Sequence, residues 1–318
     1  MHAVFLDQQT FSPLISITAL NKQVNSLTCF ALTQADEIIS RAINADIIIT
    51  NKVVLNEKVL SQLPRLKLIC IAATGTNNVD IFAAKKHKIA VTNVSGYAKK
   101  SVAQYVFAQM LEYFSQVSHH NDNVKQGLWQ QSPSFCYHGN GSQELAGKTL
   151  GLIGYGNLAK AVEKIAIAFE MDVLIAERPD CNEIRAGRKA FIEVIEQADI
   201  ISLHCPLTPQ SQNLINKDIF QRMKSSAMLI NTARGGIVNE EELRHALTTK
   251  EIAYAVLDVL NQEPPLIDNI LTVNQPENLK ITAHIAWASI ESQQRLINLL
   301  AENIRDFKTN KLTNRVDI

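Results

Sequence analysis

Lys148-Thr149-Leu150-Gly151-Leu152-Ile153-Gly154-Tyr155-Gly156-Asn157-Leu158-Ala159 is the stretch on which the fold turns. Its first half is a short apolar run of the kind that forms a buried strand. Its second half is G-x-G-x-x-A, and a helical pattern follows as far as Phe169. In that context Gly154 permits the tight turn, Gly156 lets the backbone approach a pyrophosphate, and Ala159 is small enough for the helix to lie against its strand. The helix opens at Asn157 and Leu158, where unpaired N–H groups and the dipole favour an anion. Turn glycines are common, so the pattern alone is weak evidence. The next strand-like run, Val173-Leu174-Ile175-Ala176, strengthens it by ending at Glu177, about 20 residues past the turn, where a carboxylate can accept from both ribose hydroxyls. Together these features predict a dinucleotide site that favours NAD over NADP. Arg178 beside Glu177 is either a solvated surface charge or a ligand for a 2′-phosphate.

Working outward, further apolar runs alternate with helix-like segments. Before the glycine turn they are Asp46-Ile47-Ile48-Ile49-Thr50, Leu66-Lys67-Leu68-Ile69-Cys70-Ile71 and Ile89-Ala90-Val91-Thr92; after it they fall near 200–204, 227–230 and 254–258. That rhythm predicts parallel strands joined by crossover helices, with both faces of each sheet covered. The 318 residues exceed what one core usually supports, so two domains are expected: the first hundred residues look like one α/β unit, and a second series of strands begins after the Gly/Ser/Asn-rich residues 138–142. Residues 101–118 carry apolar side chains at helical spacing and are read as a helix bridging the domains. Residues 290–307 place Leu296, Leu299, Leu300 and Ile304 on one face, a helix that returns the chain to the first domain. Residues 121–142 are too polar and too rich in Gly and Pro for an assignment.

Charge and composition exclude several classes. Lys plus Arg equals Asp plus Glu at 31 each, and there is no basic run to track a phosphate backbone, so no nucleic-acid partner is expected. The amino terminus lacks a signal-peptide pattern and no apolar stretch is long enough to span a bilayer, which predicts a cytoplasmic protein without a membrane partner. The five cysteines, Cys29, Cys70, Cys136, Cys181 and Cys205, form no CxxC pair and suggest reduced thiols. His119-His120 has no spaced partners that complete a metal site, so no metal is expected.

Three blocks then carry a specific likeness. They are residues 223–238, ending in Asn231-Thr232-Ala233-Arg234-Gly235-Gly236; Leu257-Asp258-Val259 with Glu263-Pro264-Pro265; and Thr282-Ala283-His284-Ile285-Ala286-Trp287-Ala288-Ser289. With the His204-Cys205-Pro206-Leu207-Thr208 loop and the glycine turn, they resemble, in the same order, the D-isomer-specific 2-hydroxyacid dehydrogenases. Ala73-Thr74-Gly75-Thr76-Asn77-Asn78-Val79-Asp80 resembles that family's substrate loop. The resemblance implies that Arg234 grips the carboxylate and carbonyl oxygen of a 2-keto acid, that His284 supplies the proton while a nicotinamide delivers hydride, and that Glu263 orients His284 and keeps it charged. It further implies that backbone N–H groups at Thr74 and Gly75 hold the carboxylate, and that Asp258 meets the carboxamide or nicotinamide ribose. Cys205, Pro206, Thr232 and Ala233 would line the cofactor beside His284. Each residue also has an ordinary structural reading: Arg234 as a turn cap, Glu263 as loop surface, His284 as a core histidine. The agreement of all three in family order outweighs those readings. Cys205 has no neighbouring base in sequence and is expected to pack, not to attack.

Within the family, the substrate loop, Ala176-Glu177-Arg178 and residues 284–289 are most similar to bacterial glycerate dehydrogenases, also called hydroxypyruvate reductases. Trp287 is expected either to shape the substrate end of the pocket or to pack between domains. A carboxylate at Glu263, where formate dehydrogenases carry an amide, argues against formate oxidation. The short stretch after the return helix leads to the expectation that the regulatory domain of many phosphoglycerate dehydrogenases is lacking. The alternatives are a reductase of glyoxylate or another small 2-keto acid and, from another class, an NAD-sensing corepressor, against which the neutral charge and lack of long disordered tails weigh. The implied fold is α/β, with two doubly wound parallel-sheet domains. A flavodoxin-like substrate domain (1–98 and 288–318) flanks a Rossmann nucleotide-binding domain (99–287), with the active site in the cleft. The implied assembly is a homodimer formed through the nucleotide domain, with residues 127–143 contributing.

Overall fold

In a computed structural model that describes residues 1–181, 183–311 and 313–317, the chain forms two compact units: Met1–Ala98 with Trp287–Ile318, and Lys99–Ala286. The first contains β1 (His2–Phe5), β2 (Ser26–Cys29), β3 (Ile47–Thr50), β4 (Leu68–Ile71) and β5 (Ala90–Thr92). They form one parallel sheet in the order β2-β1-β3-β4-β5, the flavodoxin-like arrangement. Every residue of β3 and β4 is buried, as strands covered on both faces require. The helix Ile290–Lys308 belongs to this unit and buries Leu296, Ile297, Leu300 and Ile304. β2 leaves no mark in the sequence pattern because it is a half-exposed edge strand, Ser26-Leu27-Thr28-Cys29, with too few apolar residues to stand out.

The second unit holds β6 (Thr149–Ile153), β7 (Asp172–Ile175), β8 (Ile200–Leu203), β9 (Met228–Asn231), β10 (Tyr254–Leu257) and β11 (Leu279–Ile281), parallel and ordered β11-β10-β9-β8-β6-β7. A Rossmann sheet carries one more strand outside β7. Here that strand is reduced to a single bridge between Ala176 and Lys189, closed by Glu177 N–H to the Lys189 carbonyl at 2.8 Å and Lys189 N–H to the Ile175 carbonyl at 2.9 Å. The glycine within β6 has a packing reason: a Cβ at Gly151 would lie 2.8 Å from Val194 Cγ1 and 3.0 Å from Ala198 Cβ, so the helix Phe191–Gln197 rests directly on the strand.

The helix expected over 101–118 as a bridge between domains differs in two ways. It runs Lys99–Ser115 and lies wholly within the second unit. It stops because Gln116 turns left-handed (φ +51°), and a second helix, Val117–Lys125, then occupies part of the stretch that had no assignment.

Candidate active site

Because all six strands of the second unit are parallel, their carboxyl ends share one edge of the sheet. The strand order reverses between β6 and β8, which is where ligands bind in such sheets. Gly154 leaves β6 with φ +88°, and a Cβ there would stand 2.6 Å from Cys205 N and 2.7 Å from Cys205 Cα. The loop after β8 therefore lies against the glycine turn, bringing His204, Cys205 and Pro206 beside it. Gly156, by contrast, faces open space, with nothing within 4 Å of a Cβ. It caps the helix Asn157–Ala168 without a side-chain bond, so the first N–H groups, including those of Asn157 and Leu158, point outward uncapped. Ala159 is fully buried beneath. Burial pushes the Cys205 thiol up to about 11 and the imidazole of His204 down to about 4, so both are neutral near pH 7.

The ends of β9, β10 and β11 hold Arg234, Asp258, Glu263 and His284. His284 Nδ1 lies 2.6 Å from Glu263 Oε2, while Glu263 Oε1 accepts the Leu260 N–H at 3.0 Å, so the carboxylate bridges its own turn and the imidazole. His284 is left-handed at φ +52°, a conformation that costs energy for a residue with a Cβ. Asp258 pays for it. Its carbonyl accepts the His284 N–H at 2.8 Å, and its carboxylate accepts Ile285 N–H at 2.9 Å, Ala286 N–H at 2.8 Å and the Thr282 hydroxyl at 2.6 Å. With the Thr282 proton given to Asp258, the Tyr105 hydroxyl donates to Thr282 Oγ1 at 2.5 Å. Burial pushes the Asp258 carboxyl above the ordinary aspartate range, against these bonds.

Arg234 follows β9 in extended conformation. Among the described residues its one side-chain hydrogen bond is from Nη1 to the Ala233 carbonyl at 2.6 Å, which leaves most of the guanidinium fork for a ligand. Its neighbour Gly235 sits so close to the segment after β10 that a Cβ would collide with the Leu260 carbonyl and the Asn261 nitrogen. That contact locks the Arg234 turn to the turn carrying Glu263. Glu240, buried at the start of the helix Glu240–Thr248, accepts the Asn261 N–H at 2.6 Å and the Asn269 side chain at 3.0 Å, pinning the same segment.

Glu177 reaches the expected edge, but its carboxylate is taken up by its own chain. Arg185 presents Nε to Oε2 at 2.6 Å and Nη2 to Oε1, and the N–H of Arg178 donates at 2.9 Å. The Arg185 guanidinium holds this carboxyl well below the usual carboxylate range. In the first unit, the Thr74 hydroxyl donates to the Val94 carbonyl at 2.9 Å and Asn93 Nδ2 donates to the Thr74 carbonyl at 2.7 Å. The N–H groups of Thr74 and Gly75 have no acceptor among the described residues. Trp287 packs edge-on against Phe11 and Tyr97, ring centroids 5.8 and 6.2 Å away.

Residues 107–286 match the family model described as D-isomer specific 2-hydroxyacid dehydrogenase, NAD binding domain. The chain is 41% identical over 282 residues to the glycerate dehydrogenase of Methylorubrum extorquens, covering 89% of this chain and 88% of that protein. The chain belongs to the D-isomer specific 2-hydroxyacid dehydrogenases. It is also 37% identical over 280 residues to the hydroxypyruvate reductase of Blautia hydrogenotrophica, covering 87% of this chain and 86% of that protein. Among solved structures it is similar to an acyclic imino acid reductase, Bsp5, in complex with NADPH and D-Arg. That likeness has TM-score 0.84 and 27% identity, and covers 99% of this chain and 100% of that one. As a member of this dehydrogenase family, the chain is an NAD-dependent oxidoreductase.

The second unit fits that cofactor. Gly154 brings the two loops together, Gly156 keeps a cradle open that a Cβ would fill, and the buried hydroxyl of Thr232, at the end of β9, has no partner among the described residues. The residues that sequence reasoning did not find, Gly235, Glu240, Tyr105 and Thr282, act through backbone or neighbouring side chains. Of these, Gly235 and Thr282 lay inside stretches with a signal, Gly235 as half of the Gly235-Gly236 pair beside Arg234 and Thr282 two residues before His284.

Proposed function

We propose that this dehydrogenase reduces hydroxypyruvate to D-glycerate, with Arg234, Glu263 and His284 as its catalytic residues. The observation that carries the reading of the site is the 2.6 Å pair between His284 Nδ1 and Glu263 Oε2. With Nδ1 held by the carboxylate, the imidazole presents Nε2 as its working nitrogen, and a charged ring donates that proton to the alkoxide forming at C2 of the keto acid. Bound NADH supplies the hydride to the same carbon. The Arg234 fork takes one carboxylate oxygen and the carbonyl oxygen, where its charge is worth most as negative charge develops. We also propose the Thr74 and Gly75 N–H groups as carboxylate donors. Asp258 serves by fixing the backbone of the histidine, Thr232 by meeting the nicotinamide end, and Gly156 with Asn157 and Leu158 by seating the pyrophosphate.

The choice of substrate is supported by the relatives named glycerate dehydrogenase and hydroxypyruvate reductase at 41% and 37% identity. The test is kcat/KM with NADH on hydroxypyruvate, glyoxylate, pyruvate and phosphohydroxypyruvate. Hydroxypyruvate should rank first by about tenfold or more, a difference of about 1.4 kcal/mol in transition-state binding. A higher value on any of the others overturns the substrate, and no turnover on all four overturns the catalytic reading. We further propose a cytoplasmic homodimer. The exposed apolar side chains Val117, Trp129 and Phe135 on one stretch of the second unit support the dimer, and light scattering at micromolar concentration tests it.

A further inference from the structure

The carboxylate at the end of β7 is where a dinucleotide's adenine ribose is expected to hydrogen-bond, yet here it is sealed. The Glu177 side chain is 1% exposed. Its two oxygens accept from Arg178 N–H (2.9 Å), Arg185 N–H (3.3 Å), Arg185 Nε (2.6 Å), Arg185 Nη2 and Arg188 Nη1 (3.4 Å). A carboxylate offers about four lone-pair directions, so this one has none left for ribose hydroxyls. The arginines are not sealed with it. The Arg185 side chain remains 53% exposed and that of Arg188 18%.

The backbone that carries them is anchored to the sheet. Arg188 N–H donates to the Arg185 carbonyl at 3.1 Å, and the next residue, Lys189, forms the single bridge that stands in for a whole Rossmann strand. The cluster also adjoins the glycine turn: the Arg188 guanidinium lies 5.9 Å and Lys160 Nζ 5.4 Å from the ring centroid of Tyr155, which sits between Gly154 and Gly156. Around one buried carboxylate there are thus two guanidinium groups in direct contact, with the exposed Arg178 adjacent in sequence. Glu177 answers one of those two guanidinium charges, and Glu163, which accepts the Tyr155 hydroxyl at 2.5 Å, is a second carboxylate beside the cluster, set against Lys160.

We propose that Arg185 and Arg188 determine coenzyme choice, making this a site that takes NADPH as well as NADH. Glu177, neutralised by Arg185, does not repel a 2′-phosphate. The phosphate carries about −1.5 to −2 charges, and its oxygens can be met by Arg185 Nη1, which is not among the atoms bonded to Glu177, and by the Arg188 guanidinium, while Arg185 Nε and Nη2 stay on the carboxylate. With a 2′-hydroxyl in place of the phosphate, Arg185 stays on Glu177 and the ribose gains little from either. This proposal departs from the expectation from sequence that Glu177 favours NAD over NADP, and it rests on the dinucleotide site described above.

The test is equilibrium binding to the intact protein, with NADH and NADPH titrated separately by calorimetry or by nicotinamide fluorescence. NADPH should bind with a Kd within about tenfold of that for NADH. Arg185→Ala, which exposes the Glu177 charge, should weaken NADPH at least tenfold while changing NADH less than threefold. Arg185→Lys, which keeps the charge, should recover part of that loss. Adenosine 2′,5′-bisphosphate should displace NADH more effectively than AMP from wild type but not from Arg185→Ala. A NADPH Kd a hundredfold above that of NADH, or an Arg185→Ala variant that weakens both alike, overturns the proposal while leaving the dehydrogenase reading intact. Failure of NADH itself to bind overturns the reading beneath it. Arg185 is half exposed and outside the core, so matched thermal melts separate a local effect from misfolding.

Discussion

The sharpest consequence of the geometry concerns Gly235, a residue with no functional atoms. In Gly235→Ala the new Cβ would fall inside the contact distance of the Leu260 carbonyl and the Asn261 nitrogen. These are backbone atoms, so no rotamer change relieves the clash. Ordinary carbon contacts begin at about 3.5 Å, so the segment after β10 has to retreat by more than about 1 Å. That segment carries Glu263, whose grip on His284 Nδ1 is 2.6 Å long and whose other oxygen holds Leu260 N–H. A displacement of about 1 Å at a reacting group costs roughly 100-fold in rate. Overpacking of this kind costs about 1–3 kcal/mol in stability, or roughly 3–9 °C in Tm for a domain of this size. The assay is kcat/KM for hydroxypyruvate reduction with a thermal melt of the same sample. Gly236→Ala is the control, because its Cβ would meet only the tips of Gln212 (3.0 Å) and Leu207 (3.1 Å). Those side chains can turn aside, and activity should stay within about threefold. Wild-type kcat/KM in Gly235→Ala would show that the contact does not position Glu263, and the argument linking the Arg234 and Glu263 turns would fall.

Two further outcomes follow from other parts of the second unit. Gly156→Ala adds a methyl group to open space, so Tm should change by less than about 1 °C while the Kd for NADH rises by about tenfold or more, because the methyl occupies the cradle the pyrophosphate needs; unchanged affinity would remove Gly156 from the nucleotide site. Asp199 accepts Thr149 N–H at 2.8 Å and the Lys224 ammonium at 2.8 Å, and although burial works the other way, these partners hold its carboxyl below the usual aspartate range. A depressed folded-state pKa gives stability that is present above the unfolded value of about 3.9 and is lost as pH falls through the folded one. Asp199→Asn should therefore lower Tm by about 2–4 °C at pH 7, as for a partly exposed pair worth about 1 kcal/mol, and by progressively less below pH 4. An equal loss at pH 3 and pH 7 would show that the charge contributes nothing.

What was legible in the sequence is what short-range pattern encodes. The strands β3, β4, β6, β8, β9 and β10 are buried on both faces and appear as near-continuous apolar runs, and the glycine turn announces itself by its spacing. The identity of the candidate residues was equally accessible, because Arg234, Glu263 and His284 each lie in a distinctive local stretch. The partners that decide how those residues behave were not, because they are set by contacts that no local pattern records. The sequence places Asp258 at the end of its strand but does not show that its carboxylate holds the N–H groups of Ile285 and Ala286, 27 and 28 residues away. It likewise places Glu177 at its strand end but does not show Arg185 folded back onto it from eight residues further on. In both cases the strand end was legible and the partners of the carboxylate were not. A carboxylate placed at the end of a parallel strand is available to a ligand only where the chain that follows leaves it unpaired. Between β7 and the Lys189 bridge the chain supplies two guanidinium groups to Glu177, so the proposed control of coenzyme choice lies in the loop after the strand and not in the acidic residue at its tip alone.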